Sequence, residues 1–336
     1  MANTVIIPKK FLPSNSDKAM EFIFDYFNGF DIEFAETTDS FHVSLKANQY
    51  TYCEDISRGL KFLGITEEEV STYCPVVRNT ALCLSENWLP YALLKMQQHI
   101  DSISDELTII HVDDHQDLMP PFISIQNGSF FDMISGKKII LGDIASLNEA
   151  VQSGAITIGS MLSTIIYPIK RSNVIHVKQG AEQSLYALSK ETFHDTMLPY
   201  CGDRIFITKK DYSDNEQFYF STDNWEEAEK RVSSNTTCVL HIDMDYFNNR
   251  YNASTDWKNN PRRLDTPFLQ QKTLMDDLVD AISRIHRRSQ IKFLLLGISP
   301  SFYPVEFWED GLTYLLTQLK SIGVGVGVDI LKNNRI

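Results

Sequence analysis

The chain has 336 residues, of which 43% are apolar and 22% are charged. These ordinary fractions exclude a disordered chain, a collagen and a long coiled coil. The length allows one large α/β domain or two ordinary ones. The 31 basic and 44 acidic side chains give a net charge of −13, which repels phosphate backbones and disfavours a nucleic-acid partner.

Cysteine usage and hydropathy bear on the cellular compartment. The cysteines are scattered and form no C-x-x-C pair, so neither a disulfide framework nor a zinc finger is indicated. The longest weakly apolar stretch, residues 155–169, is interrupted by Ser and Thr and is too short to span a bilayer. The N-terminus lacks the apolar core of a signal peptide. We therefore expect a soluble, cytoplasmic protein with no membrane partner.

Short apolar runs alternate with amphipathic stretches along the chain. Strands are predicted at residues 107–112, 138–141, 173–177, 204–208, 237–242 and 292–298. Helices are predicted at residues 89–100, 183–192, 224–233, 270–287 and 309–322. The strands lack polar alternation, which is typical of strands buried on both faces. This order predicts an α/β protein with three α/β/α layers and a mainly parallel central sheet.

Two of the predicted strands run directly into acidic residues. The first continues into Asp113, His115 and Asp117, which alternate along an extended chain and therefore point the same way. The second continues into Asp243 and Asp245. Ligands of open α/β sheets bind at the carboxyl ends of the strands. Carboxylates gathered there need cations, because like charges raise carboxyl pKa values, and oxygen ligands with one imidazole suit Mn²⁺.

Each motif by itself is also compatible with a polar loop cluster that binds nothing. Calcium is a further alternative, although it prefers six to eight oxygen ligands and rarely uses histidine. Two such motifs, each directly after a buried strand, favour a metal site over either alternative.

The two motifs resemble the D-x-H-x-D and D-x-D signatures of the arginase/agmatinase (ureohydrolase) superfamily. The sequences at residues 111–115 and 297–306 resemble a divergent branch, the UPF0489-like group. That group includes bacterial peptide arginases, which convert arginine to ornithine inside ribosomally made peptides. The resemblance covers roughly residues 80–330 in order and spacing.

This resemblance implies an arginase-like fold and a binuclear centre with two Mn²⁺ ions per chain. Asp113 and Asp243 would bridge the ions, Asp117 would complete one site, and His115 with Asp245 would complete the other. Water activated by the ions would attack the guanidinium carbon of a peptide arginine and release urea, with Asp117 also accepting a proton. The implied partner is an arginine-containing precursor peptide, with or without a leader segment.

The sequence departs from the superfamily at the upstream metal-ligand histidine. Residues 85–90 contain no imidazole, and Glu86 or Asn87 is the candidate replacement ligand.

Two further catalytic candidates have simpler alternatives. Residues 118–175 contain no histidine, so His176 is the candidate for the proton shuttle, although it and His241 could equally be hydrogen-bonded core residues. Glu306, which follows a predicted strand and a turn, is the candidate partner for the substrate cation. Alternatively, Glu306 caps the helix that follows or is a solvated side chain.

Three classes of function remain open from the sequence. The leading hypothesis is an Mn²⁺-dependent ureohydrolase that acts on peptide arginine. Two other enzymatic activities are alternatives. One is a ureohydrolase that acts on free arginine or another small guanidine, and the other is a deacetylase-like amidohydrolase with one zinc. The presence of both Asp117 and Asp245 favours two metals over one. The third class is a binding module in which the metal only stabilises the fold.

The resemblance also suggests how the chain is divided. Residues 1–80 contain scattered aromatic and acidic side chains and no strong strand run precedes residue 100. We expect residues 1–80 to form an extension packed on or next to the core, and residues 81–336 to form the metal-binding catalytic domain.

Overall fold

The structure, a computed structural model, describes residues 3–27, 30–47, 53–98, 106–198, 200, 202–214, 216–234, 237–260 and 264–332. The strands are β1 Asn3–Pro8, β2 Phe30–Glu36, β3 Ser40–Ala47, β4 Val76–Val77, β5 Thr80–Cys83, β6 Glu106–Val112, β7 Ile123–Gln126, β8 Ser129–Asp132, β9 Lys138–Ile139, β10 Arg171–Val177, β11 Ser184–Asp195, β12 Gly202–Asp211, β13 Phe218–Thr222, β14 Thr237–Asp243 and β15 Ile291–Gly297. The helices are α1 Ser16–Tyr26, α2 Ile56–Leu63, α3 Leu89–Gln97, α4 Ile144–Ser153, α5 Met161–Ile166, α6 Trp225–Arg231, α7 Phe268–Ser289, α8 Trp308–Ser321 and α9 Asp329–Lys332. None of these described helices combines the length and the apolar character that a bilayer crossing needs.

The protein is a mixed α/β structure, as the sequence predicted. Its strands form a three-stranded antiparallel sheet, in the order β1-β3-β2, and a large mixed sheet of twelve strands. The large sheet is parallel across the neighbours β5-β15-β14-β6-β10-β13. The pairs β4–β5, β11–β13, β12–β7, β7–β8 and β8–β9 are antiparallel. The expected parallel sheet is therefore confirmed only in part, because antiparallel strands, some of them joined by short hairpin connections, extend it.

One hairpin shows how those antiparallel strands arise. Asn127 and Gly128 join β7 to β8, and both residues have positive φ angles, of 50° and 74°. A two-residue Asn-Gly loop of this kind matches the right-handed twist of the two strands that it joins. The Asn-Gly dipeptide is a hairpin signal in the sequence, although the predicted strands did not include β7 or β8.

Most predicted elements are found near their expected positions. The predicted strands at 107–112, 173–177, 237–242 and 292–298 correspond to β6, β10, β14 and β15. The predicted helices beginning at residues 89, 224, 270 and 309 correspond to α3, α6, α7 and α8. The expected end of the first of these helices, Ile100, lies outside the described residues.

Two predictions about secondary structure were wrong. Residues 183–192 were expected to be helical, but β11 covers most of them and pairs with β13, since a strand partner outweighs a weak local helix preference. The first hundred residues contain five strands among the described residues, β1 to β5. In β3, buried Phe41, Val43 and Leu45 alternate with partly exposed neighbours. This period-two signal is weaker than a continuous apolar run.

A disulfide between Cys74 and Cys83 also differs from the sequence expectation. The antiparallel pairing of β4 with β5 places Val76 opposite Ala81, which brings the flanking positions 74 and 83 together, with their Cα atoms 4.3 Å apart. Cys53 and Cys238 are free, and Cys201 lies outside the described residues.

Contacts along the chain define two compact units. Unit one comprises Met1–Gln49, Asp117–Pro168 and Lys190–Thr208, and unit two comprises Tyr50–Gln116, Ile169–Ser189 and Lys209–Ile336. Neither unit is one continuous stretch of chain, and the boundary expected at residue 80 stays a prediction.

The main core of unit two lies on one face of the parallel strands. Alternate residues of β6, β10, β14 and β15, such as Ile110, Ile175, Leu240 and Leu294, pack with apolar residues of α2, α6, α7 and α8. Because successive side chains of a strand point to opposite faces, the residues between them, including His111, face away from this core.

Unit one contains a buried ion pair. The Arg204 guanidinium lies 3.2 Å from the Asp195 carboxylate, to which the Tyr26 hydroxyl also donates, at 2.5 Å. Arg204 further donates to the carbonyls of Pro120 and Pro121 and lies 3.9 Å from the centroid of the Phe122 ring. A buried charge is tolerated only when it is paired and hydrogen-bonded in this way.

We predict that Asp195→Ala destabilises the protein by about 3–5 kcal/mol, because it leaves the buried Arg204 guanidinium without its carboxylate. Urea denaturation measures the change in the free energy of unfolding. The matched control is Asp203→Ala. The Asp203 side chain is 58% exposed, and its carboxylate is paired with the exposed His194. We expect this variant to have little effect on the free energy of unfolding. Equal losses in the two variants would contradict the prediction.

Candidate metal centre

The candidate site lies at the carboxyl edge of two neighbouring parallel strands in unit two. In the pairing of β6 with β14, His111 is opposite His241 and Val112 is opposite Ile242. Asp113 therefore follows β6 at the level where β14 ends in Asp243. This register, which is set by backbone hydrogen bonds between apolar strands, places the two acidic motifs side by side.

Asp113, His115 and Asp245 form the most compact part of the site. The Asp113 and Asp245 side chains are fully buried, whereas that of His115 is 36% exposed. His115 Nδ1 lies 2.8 Å from Asp245 Oδ2 and 3.5 Å from Asp113 Oδ1. The backbone N–H of His115 also donates to Asp113 Oδ1, at 2.5 Å. One imidazole nitrogen thus faces two buried carboxylates.

The charges of this group are balanced within the group itself. Burial by itself would lower the pKa of His115, but the Asp245 and Asp113 carboxylates outweigh burial and raise that pKa to about 12. The imidazolium therefore supplies the positive charge that the two carboxylates require. A divalent cation would meet the same requirement with a neutral imidazole as ligand, so the donor set of one nitrogen and several oxygens suits a divalent metal ion.

Asp243 is held by different contacts. Its Oδ2 accepts from the Ser299 hydroxyl at 2.7 Å, and its Oδ1 accepts from the backbone N–H of Asp245 at 3.3 Å. Ser299 follows β15, the neighbour of β14 on its other side, and has a φ angle of 50°. A non-glycine residue in this region is uncommon and often lies at a functional site.

Three histidines on neighbouring strands form a buried row beneath the acids. His176, His111 and His241 occupy the same register position on β10, β6 and β14. Their adjacent ring centroids are 4.7 and 4.9 Å apart. Burial lowers the pKa of His176 and of His241 to about 3, and lowers that of His111 well below its ordinary value. Burial therefore disfavours a positive charge on each of the three imidazoles.

Hydrogen bonds fix the tautomers of this row. His111 Nε2 lies 3.0 Å from the His115 carbonyl, so it carries the proton, and His111 Nδ1 accepts from His241 Nδ1 at 2.7 Å. His241 Nε2 then faces the carboxylate of Glu86 at 2.7 Å, and this contact requires a proton on one of the two atoms. His176 Nε2 donates to the Asp113 carbonyl at 3.0 Å, and its Nδ1 accepts from the Tyr219 hydroxyl.

Among the described residues of unit two, two groups of side chains could hold a metal ion. They are Asp113–His115–Asp245 and His111–Asp113–His241, each with ligand atoms within 4.8 Å of one another. The imidazoles of the second group are already used in hydrogen bonds to a carbonyl, to each other and to Glu86, so an ion there would have to replace one of these bonds. In the first group, an ion would replace only the proton of His115 that faces the two carboxylates. This group is therefore the better candidate for a metal site.

Glu86 and Asn87, the candidate replacement ligands, are both buried. The Glu86 carboxylate reaches His241, whereas Asn87 Oδ1 accepts from the Ser85 hydroxyl at 2.7 Å. Glu86 packs directly on Gly297, where an added Cβ would lie 2.3 Å from Glu86 Oε1. The glycine is thus needed for the close approach of this carboxylate.

Asp114, which the sequence analysis did not single out, organises the loops around the site. Lys178 Nζ donates to the Asp114 carbonyl at 2.5 Å and lies 3.2 Å from its Oδ1. The Asn249 side chain donates to Asp114 Oδ2 at 2.7 Å, and the Asp114 backbone N–H donates to Asp245 Oδ1 at 3.2 Å. These bonds connect the segments that follow β6, β10 and β14.

Asp117 and Glu306 make further contacts of their own. Asp117 belongs to unit one, where it is buried, has a φ angle of 50°, and accepts at its carbonyl from the backbone N–H groups of Leu162 and Ser163. Glu306 Oε1 lies 2.5 Å from Arg250 Nη1. The chain's own guanidinium therefore already balances the charge of Glu306.

Sequence reasoning missed several residues of the site. His241 was considered only as a possible core histidine, and Asp114, Ser299 and Lys178 were not singled out. Ser299 and Lys178 follow predicted strands, so the rule that found the acidic motifs could have found them. The histidine row depends on strand register, for which a single sequence gives no signal.

We predict that Gly297→Ala destabilises the protein by about 1–3 kcal/mol, as is usual when a side chain is forced into a packed interior. The added methyl group would push Glu86 away from His241. Urea denaturation measures the loss. Gly142→Ala is the control, because an added Cβ there meets nothing within 4 Å. A neutral Gly297→Ala would mean that Glu86 moves without cost.

Comparison with known proteins does not identify the chain. No family model matches it, and no curated protein matches it. The resemblance to ureohydrolases therefore depends on the two acidic motifs and their flanking residues alone.

Proposed function

We propose that the protein is an Mn²⁺-dependent ureohydrolase that converts arginine side chains of a peptide to ornithine with release of urea. The observation that carries this proposal is the convergence of Asp113, His115, Asp243 and Asp245 at the carboxyl edge of β6 and β14. An arginase-like three-layer fold and a cytoplasmic location belong to the same proposal.

The metal ligands in this proposal are the buried carboxylates and His115. Asp113, Asp243 and Asp245 would provide oxygens and His115 would provide one nitrogen, while Asp117 remains the predicted fifth ligand. Bound Mn²⁺ would supply Lewis acidity and lower the pKa of water towards about 7. A binuclear centre with Asp113 and Asp243 as bridging ligands is the arrangement that the resemblance implies.

The protein's own residues have two roles in this chemistry. Ser299 and the Asp114 network orient the carboxylates, because hydrogen bonds from Ser299 Oγ and from the Asp114 backbone fix Asp243 and Asp245 respectively. His115 is the partly exposed member of its group, and the Phe302 ring lies edge-on to it with centroids 4.9 Å apart. Substrate is therefore expected to approach from the side of His115.

The choice of a guanidinium substrate depends on the motif resemblance and on charge. A net charge of −13 favours a cationic ligand. The choice of a peptide over free arginine depends on the resemblance of residues 111–115 and 297–306 to the peptide-modifying branch.

The metal requirement can be tested directly. We predict that purified protein contains two Mn²⁺ per chain by elemental mass spectrometry, and that Asp113→Ala and Asp243→Ala each lose metal and turnover while circular dichroism shows a retained fold. Asp223→Ala, an exposed aspartate that follows β13, is the control and should retain both.

Other metal contents would favour the alternatives. One zinc per chain would support the deacetylase-like amidohydrolase. Unfolding on metal removal would support a binding module with a structural ion. Near-normal turnover in either alanine variant would refute the assigned ligands.

The reaction can be tested by mass spectrometry of peptides. We predict that an arginine-containing peptide incubated with the Mn²⁺-loaded protein loses about 42 Da for each arginine converted to ornithine, with one urea released. A lysine-substituted peptide is the control and should keep its mass. Release of urea from free arginine, with no mass change in any peptide, would indicate that the substrate is a small guanidine and not a peptide.

A further inference from the structure

Two lysines near the site differ in how their charge is balanced. Lys178 is paired with the Asp114 carboxylate. Lys209, near the end of β12, donates instead to the neutral side-chain oxygen of Gln116, at 2.6 Å. Among the described residues, Lys209 forms no ion pair with a carboxylate.

Aromatic rings hold the Lys209 ammonium in place. Its Nζ lies 3.7 Å from the centroid of the Tyr219 ring and 5.7 Å from that of Tyr186. A cation on the face of a tyrosine is attracted by the ring quadrupole, but this attraction does not neutralise its charge. Burial alone lowers the pKa of Lys209 to about 8, with no nearby carboxylate opposing it.

The position of Lys209 connects it to the candidate metal centre. Gln116, its hydrogen-bond partner, directly follows His115 in the chain. Tyr219, whose ring it covers, donates its hydroxyl to His176, and His176 donates to the Asp113 carbonyl. Gln116 and Tyr186 are exposed, so a ligand can reach this lysine from solvent.

A half-buried cation without an anion is costly unless a ligand supplies the anion. We propose that Lys209 binds a carboxylate of the substrate, so that preferred substrates carry an anionic group next to the reacting arginine. This inference rests on the proposed function for the identity of the arginine. The carboxylate itself could belong to an acidic side chain or to a chain terminus.

The test uses three ligands and two readouts. The ligands are an arginine–glutamate peptide with blocked termini, its glutamine counterpart, and free arginine, which carries its own carboxylate. One readout is acetylation of lysines by a dilute amine-reactive reagent, quantified by mass spectrometry. The other is release of urea by the Mn²⁺-loaded protein.

Lys209 should be protected from acetylation by the glutamate peptide about tenfold more effectively than by the glutamine peptide, as expected for one charge-assisted hydrogen bond. Lys210 is an internal control, because it is exposed and its side chain points to the opposite face of the strand. The same preference should appear as a lower KM with little change in kcat.

Variants give an independent check. Lys209→Met should abolish the preference for the glutamate peptide, whereas Lys210→Met, which removes the same charge, should keep it. Lys209→Gln, which retains a polar side chain beside Gln116, serves the same purpose if Lys209→Met does not fold.

The outcomes separate this inference from the proposed function. Selective protection without urea would support the carboxylate site and refute the ureohydrolase. Urea without any difference between the peptides would refute the carboxylate site alone, and neither signal would refute both. Protection by free arginine but not by the glutamate peptide would assign the carboxylate to a chain terminus.

Discussion

The candidate site depends on the parallel register of β6 and β14. Each strand is an apolar run whose backbone hydrogen bonds align His111 with His241, and each run ends at an aspartate. A shift of one residue in either strand would turn the imidazoles towards the main core and separate Asp113 from Asp243. Backbone pairing of the two strands, which does not involve the acidic side chains, therefore creates the acidic cluster.

Charge compensation is the second constraint. Carboxylates buried at the sheet edge must be balanced, and the chain does this locally: His115 lies between Asp113 and Asp245, and Lys178 pairs with Asp114. A metal would take over the role of the His115 proton. Within the described part of the chain, Lys209 is the exception to this pattern, since tyrosine rings and an amide stabilise its charge instead of a carboxylate.

The sequence predicted those parts of the fold and site that depend on local pattern. Continuous apolar runs identified β6 and β14, and the motifs after them identified three clustered acids and one histidine. The prediction failed where a partner strand decided the structure, as in β11, which pairs with β13 instead of forming a helix. It also could not foresee that Arg250 pairs with Glu306, because that contact joins distant segments.

By itself, the sequence determined where the strands end in acids and that those acids could bind a metal, because both properties belong to short stretches of chain. Only the tertiary structure decided which side chains meet. It aligned His176, His111 and His241 in one buried row, placed Glu86 on Gly297, and placed Lys209 on a tyrosine ring and beside an amide. Register and packing arise from long-range contacts, and a local pattern does not specify them.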